Sequence, residues 1–180
     1  MGVSMRAFIA VDIPFGKEFK EYQEEIKNFG GFSFPKNQFH LTLKFLGEVN
    51  ENKIEEIKEK LNKINFKPFK VRLGNFGVFP DKKHINVIWI SLIPEEKIKS
   101  LQENVEDVLE QFFEREKREF KAHVTLARIK FVKDKEKLLE SLKKKIEGEF
   151  VIDKFKLIKS ELTPKGAVYT VLGEYNGKEM

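Results

Sequence analysis

Residues 39–47 read FHLTLKFLG and residues 122–130 read AHVTLARIK. Each holds the tetrapeptide His-x-Thr-Leu, as His40-Leu41-Thr42-Leu43 and, 83 positions on, as His123-Val124-Thr125-Leu126. The chain has only three histidines, so a shared setting for two of them points to an internal repeat. Both segments alternate polar and apolar side chains, the period of a strand with two unlike faces. Side chains at i and i+2 share a face, so His40 stands beside Thr42 and His123 beside Thr125, with the aliphatic residues packed behind.

The flanking sequence gives each motif the same surroundings. Residues 7–13 (AFIAVDI) read as a buried strand closed by Pro14. Phe15, Phe19, Tyr22, Ile26 and Phe29 then form the apolar stripe of a helix ended by Gly30-Gly31. After the first motif strand, Ile54, Ile57, Leu61 and Ile64 mark a second helix with Asn50 as N-cap, and residues 69–79 return to strand. The second half repeats the order. Residues 84–92 (HINVIWISL) are a strand, and Pro94 opens a helix through Ile98, Leu101, Val105, Val108 and Phe112. Residues 122–129 are the second motif strand, Leu138, Leu142 and Ile146 mark a helix, and residues 150–162 and 167–175 form a closing pair of strands around Thr163-Pro164-Lys165-Gly166. No Pro/Gly/Ser-rich linker divides the halves, which predicts one α+β domain of two similar lobes over residues 1–180, with residues 1–4 as an extension.

Composition bounds what this unit can do. At 180 residues, with 41 % hydrophobic and 35 % charged residues, the chain can bury a real core. Its 18 phenylalanines recur mostly at helix or strand spacing and read as core. The absence of cysteine excludes disulfides, thiolate metal sites and a Cys nucleophile. A net charge of +5 favours an anionic partner through long-range attraction. No apolar run is long enough for a membrane-spanning helix, and residues 1–6 lack a signal-type apolar region, so a cytoplasmic monomer is expected.

If the lobes face one another, two imidazoles flank one pocket, one able to accept a proton and the other to donate one. In-line displacement at phosphorus needs that pair. The hydroxyls of Thr42 and Thr125 can bind the non-bridging phosphate oxygens as charge develops on them. Lys44 shares the parity of His40 and Thr42, so simple alternation aims it at the same pocket. Arg128 lies three residues past Thr125 and has the wrong parity, unless a bulge re-aims it. A metal site built from His40, His84 and His123 is disfavoured, because neither motif carries a neighbouring carboxylate. A rival of another class is a non-catalytic single-stranded RNA-binding module, which would not need two imidazoles in matched settings.

These features, together with RAFIAVDIP, QFHLTLKFLGE, NVIWISL, HVTLAR and SELTPKGAVY, resemble the 2H phosphoesterases, in particular their 2′-5′ RNA ligase-like branch of RNA 2′,3′-cyclic phosphodiesterases. The resemblance implies a bilobal duplicated α+β fold in which two mainly antiparallel β-sheets form a cleft with helices packed outside. It implies hydrolysis of RNA ends bearing a 2′,3′-cyclic phosphate, tRNA fragments or cyclic nucleotides among them, to a 2′-phosphate without metal or cofactor. It also implies a reverse reaction that forms 2′-5′ linkages. His40 and His123 would be the catalytic pair, Thr42 and Thr125 the phosphate holders, and Arg128 a further phosphate contact despite its parity.

Overall fold

The computed structural model describes residues 2–36 and 38–179. Its strands form two wholly antiparallel sheets. The first has the order β3-β1-β8-β9 and the second β2-β6-β5-β4-β7. The elements are β1 (Ser4–Asp12), α1 (Gly16–Ile26), β2 (Gly30–Ser33), β3 (His40–Asn50), α2 (Glu51–Leu61), β4 (Phe69–Pro80), β5 (Ile85–Ile93), α3 (Glu95–Leu109), β6 (His123–Val132), α4 (Lys135–Ser141), β7 (Glu149–Ile152), β8 (Lys154–Thr163) and β9 (Gly166–Asn176).

The repeat seen in the sequence is present, but its halves are not the sheets. With the short strands β2 and β7 added, each half runs strand, helix, motif strand, helix, strand, and each gives strands to the other half's sheet, β2 and β4 to the second and β8 and β9 to the first. The first half's β4 pairs with β5, and the second half's β8 pairs with β1. One continuous core follows from this exchange. It joins Ile9, Leu41 and Leu157 of the first sheet to Ile88, Val124 and Ile152 of the second, with Tyr22, Ile57, Leu101 and Leu138 from the four helices.

Several boundaries differ from the expectation for local reasons. The expected extension is partly structural: Ser4 already pairs with Asn50 in β1, and the Glu51 amide donates to the Val3 carbonyl, while Met1 lies outside the described residues. Gly30-Gly31, read as a helix stop, also opens the short edge strand β2. Residues 150–162 do not form one strand, because the chain crosses between sheets at Asp153 and splits into β7, on β4, and β8, on β1. The Asn50 cap is made as expected, its side chain accepting from the Asn52 amide.

A buried ion pair fastens the motif strand β3 to α3. Lys44 Nζ donates to Glu106 Oε2 at 2.8 Å and to the Glu114 carbonyl at 3.0 Å, while Gln102 Nε2 donates to Glu106 Oε1 at 3.1 Å. Removing one partner of such a pair strands the other charge. Glu106→Ala should therefore destabilise the protein by about 3 kcal/mol in urea denaturation, and the Lys44→Met/Glu106→Leu double variant should regain most of that loss.

Candidate active site

Both motifs begin at the first residue of a strand, His40 in β3 and His123 in β6. These two strands touch where the sheets meet. In each, the fourth motif residue is an insertion. Along β1–β3, Ala10 faces Thr42 and Ile9 faces Lys44, leaving Leu43 extra. Along β5–β6, Trp89 faces Thr125 and Ile88 faces Ala127, leaving Leu126 extra. Both leucines are buried. A bulge adds one residue and so reverses the parity of everything beyond it.

That reversal settles the two cations. Arg128 comes opposite Val87, two residues along β5 from Trp89, and so returns to the face that carries His123 and Thr125. Lys44 is turned the other way. It comes opposite the core residue Ile9 and buries its ammonium against Glu106, so simple alternation across the bulge placed it wrongly. The equivalent of Arg128 in β3 is Phe45, opposite Phe8 and 72 % exposed. The bulge in β6 is held from behind by α1, where the buried Gln23 donates from Nε2 to the Leu126 carbonyl at 2.9 Å.

The two imidazoles sit in similar aromatic walls but unlike electrostatic surroundings. Phe8 and Tyr169 meet the His40 ring edge-on at 5.5 and 5.3 Å, as Phe79 and Trp89 meet His123 at 5.1 and 5.9 Å. Burial holds both rings below the ordinary imidazole pKa. Against this, Asp12 Oδ1 lies 3.3 Å from His40 Nε2 and favours its cation, while Lys156, ion-paired to the same carboxylate, disfavours it. At 3.3 Å the contact is longer than a strong charged hydrogen bond, but the carboxylate still favours the protonated ring. His123 instead has Nδ1 2.6 Å from the Lys121 carbonyl. A carbonyl can only accept, so Nδ1 carries the hydrogen and the neutral ring has its lone pair on Nε2. That carbonyl also favours the protonated ring, while the nearby Arg128 disfavours it.

Asp12, Lys156 and the four wall aromatics were not singled out by sequence reasoning. A carboxylate ending an apolar strand was the available signal for Asp12, whereas nothing local marks Lys156. His84 lies exposed in the β4–β5 turn, where its amide donates to Asp81 Oδ1. Among the described residues no group of three or more His, Asp or Glu side chains is arranged to hold a metal ion.

The 2′-5′ RNA ligase superfamily pattern matches residues 14–164. A protein of Methanocaldococcus jannaschii named RNA 2′,3′-cyclic phosphodiesterase is 38 % identical over 177 residues, covering 95 % of this chain and 100 % of its own. One of the same name from Archaeoglobus fulgidus is 34 % identical over 92 % of this chain and 96 % of its own. Among solved structures, TT0787 of Thermus thermophilus superposes with a TM-score of 0.78 at 30 % identity, covering 97 % of this chain and 100 % of that one. Apo LigT of E. coli shares the fold, with a TM-score of 0.77 at 20 % identity over 98 % and 99 % of the two chains.

The opposed charges at His40 predict opposite responses in an NMR titration of its ring. Asp12→Asn removes the group favouring the cation and should lower the His40 pKa further. Lys156→Gln removes the group opposing it and should raise that pKa. Shifts of the same sign in both variants would contradict the electrostatic assignment.

Proposed function

The chain belongs to the 2′-5′ RNA ligase superfamily, and from that membership we propose that it is an RNA 2′,3′-cyclic phosphodiesterase working by two-histidine acid–base catalysis. The observation that carries the reading is the paired bulged motif, which gives each sheet one imidazole and one hydroxyl on the same face, with Arg128 beside them. Relatives bearing that activity in their names match along nearly the whole chain, which supports the substrate class.

The reaction divides between the two rings according to their surroundings. His123, neutral with its lone pair at Nε2, takes a proton from water as the water oxygen bonds to phosphorus. His40, the ring with a carboxylate partner, enters as the cation and gives its proton to the ribose O3′ as the P–O3′ bond breaks. The product keeps a 2′-phosphate and a free 3′-hydroxyl, and proton exchange with solvent restores both rings. Thr42 and Thr125 donate to the non-bridging oxygens, and Arg128 offsets the charge that grows on them. A 5′-hydroxyl entering in place of water would form a 2′-5′ linkage by the same steps. Lys44 has no part in this scheme, since its ammonium is spent on Glu106.

On an RNA ending in a 2′,3′-cyclic phosphate, kcat/KM should be bell-shaped in pH with two histidine limbs, and EDTA should leave it unchanged. His40→Ala and His123→Ala should each remove most activity, the double variant being little worse than either. Thr42→Ala or Thr125→Ala should slow turnover by roughly 10- to 10³-fold, and Arg128→Ala should raise KM and flatten the salt dependence of binding. Near-wild-type cleavage by either single histidine variant would sink the mechanism. Binding of this RNA by the wild type without cleavage would instead favour a non-catalytic RNA-binding protein.

A further inference from the structure

Among the described residues only three Phe, Tyr or Trp side chains are exposed: Phe45 at 72 %, Phe131 at 61 % and Tyr169 at 39 %. Register places all three on the histidine-bearing faces. Phe45 pairs with Phe8, whose ring meets His40, and Tyr169 meets His40 directly. Phe131 reaches its face through a second irregularity in β6. Arg128 faces Ser33 and Ile129 faces Phe32, after which Lys130 is skipped and Phe131 faces Gly31. Phe32 packs on the core, so its neighbours Ser33 and Gly31 lie on the opposite face, and Arg128 and Phe131 lie with them.

Gly31 shapes the seat of that ring. A Cβ there would stand 2.4 Å from Phe131 Cε1 and 2.9 Å from its Cζ, so the ring lies down over bare backbone. A large aromatic held flat on a sheet, with its outer face in water, is not contributing to a core. Its surroundings are cationic. The run from Arg128 to Lys133 (RIKFVK) holds Arg128, Lys130 and Lys133 and no carboxylate. None of the three joins an ion pair among the described residues, although twelve other Lys and Arg side chains do.

We propose that Phe131, seated over Gly31, is a stacking platform for a nucleobase of the RNA body 5′ to the cyclic end, with Lys130 and Lys133 attracting the adjoining phosphates. The proposal rests on the phosphodiesterase reading and extends it from the terminal phosphate to the strand behind it. An aromatic face combined with unpaired cations matches a single-stranded nucleic acid, whose bases stack and whose backbone is anionic. The platform stands two residues along the ladder from Arg128, about 7 Å, within reach of the next nucleotide.

The test compares 2′,3′-cyclic AMP with a short oligoadenylate ending in the same cyclic nucleotide. Phe131→Ala should lower kcat/KM on the oligonucleotide about tenfold, through KM, as expected for the loss of one base stack. It should leave the mononucleotide unchanged, and Phe131→Tyr should retain the preference. No loss on the oligonucleotide, or equal loss on both substrates, would overturn the platform. A wild type inert on both substrates would remove the phosphodiesterase reading instead. The platform is then judged by fluorescence anisotropy of a 5′-labelled oligoadenylate bearing a 2′-phosphate, which Phe131→Ala should bind about tenfold more weakly and which equal binding would refute.

Discussion

An extended strand alternates its side chains between two faces, so groups separated by an odd number of residues share a face only if an extra residue is inserted between them. In both motif strands that insertion is the leucine after the threonine. Leu43 and Leu126 sink into the core, and the residue two places further on rises onto the histidine face. This device returns Arg128 to the histidine face and turns Lys44 away from it. The same one-residue irregularity thus gives one motif a cation and the other an exposed phenylalanine. From an internal repeat it makes two unequal motif strands.

The exchange of closing strands keeps those halves together. Because β2 and β4 stand in the second sheet and β8 and β9 in the first, neither half forms a sheet of its own strands alone. The motif strands meet as a result of the same topology. Near-identical sequence then gives unlike chemistry through neighbours that the repeat does not share. His40 has Asp12 and Lys156 from β1 and β8, whereas His123 has a backbone carbonyl two residues before it and Arg128 five residues after it. The proposed division into acid and base is favoured by that inequality, which biases where the single proton of the pair resides.

Much of this was legible in the chain itself. The His-x-Thr-Leu repeat marked the two strands that carry the candidate site residues, hydrophobic periodicity located the four helices and most strands, and Asn50 declared its cap. What escaped was non-local. Gly30-Gly31 reads as a stop, because only the partner strand β6 makes β2 a strand. A break at Asp153 is invisible when both flanking segments are apolar strands, and their destinations in different sheets depend on the whole topology. The burial of Lys44 needed a bulge and Glu106, 62 residues away. For Arg128 the family resemblance outweighed simple alternation, and the bulge supplies the physical reason.

The central claim is that the two histidines are not interchangeable: His40 protonates the leaving O3′ and His123 deprotonates the nucleophile. A substrate in which sulfur replaces the bridging O3′ tests it most directly, because a thiolate leaves readily without protonation. The measurement is single-turnover hydrolysis of this substrate and of its oxygen parent by the wild type, His40→Ala and His123→Ala. Sulfur should restore His40→Ala to near the wild-type rate while His123→Ala stays inactive. Rescue of His123→Ala instead, or equal impairment of both variants on the sulfur substrate, would contradict the division of roles.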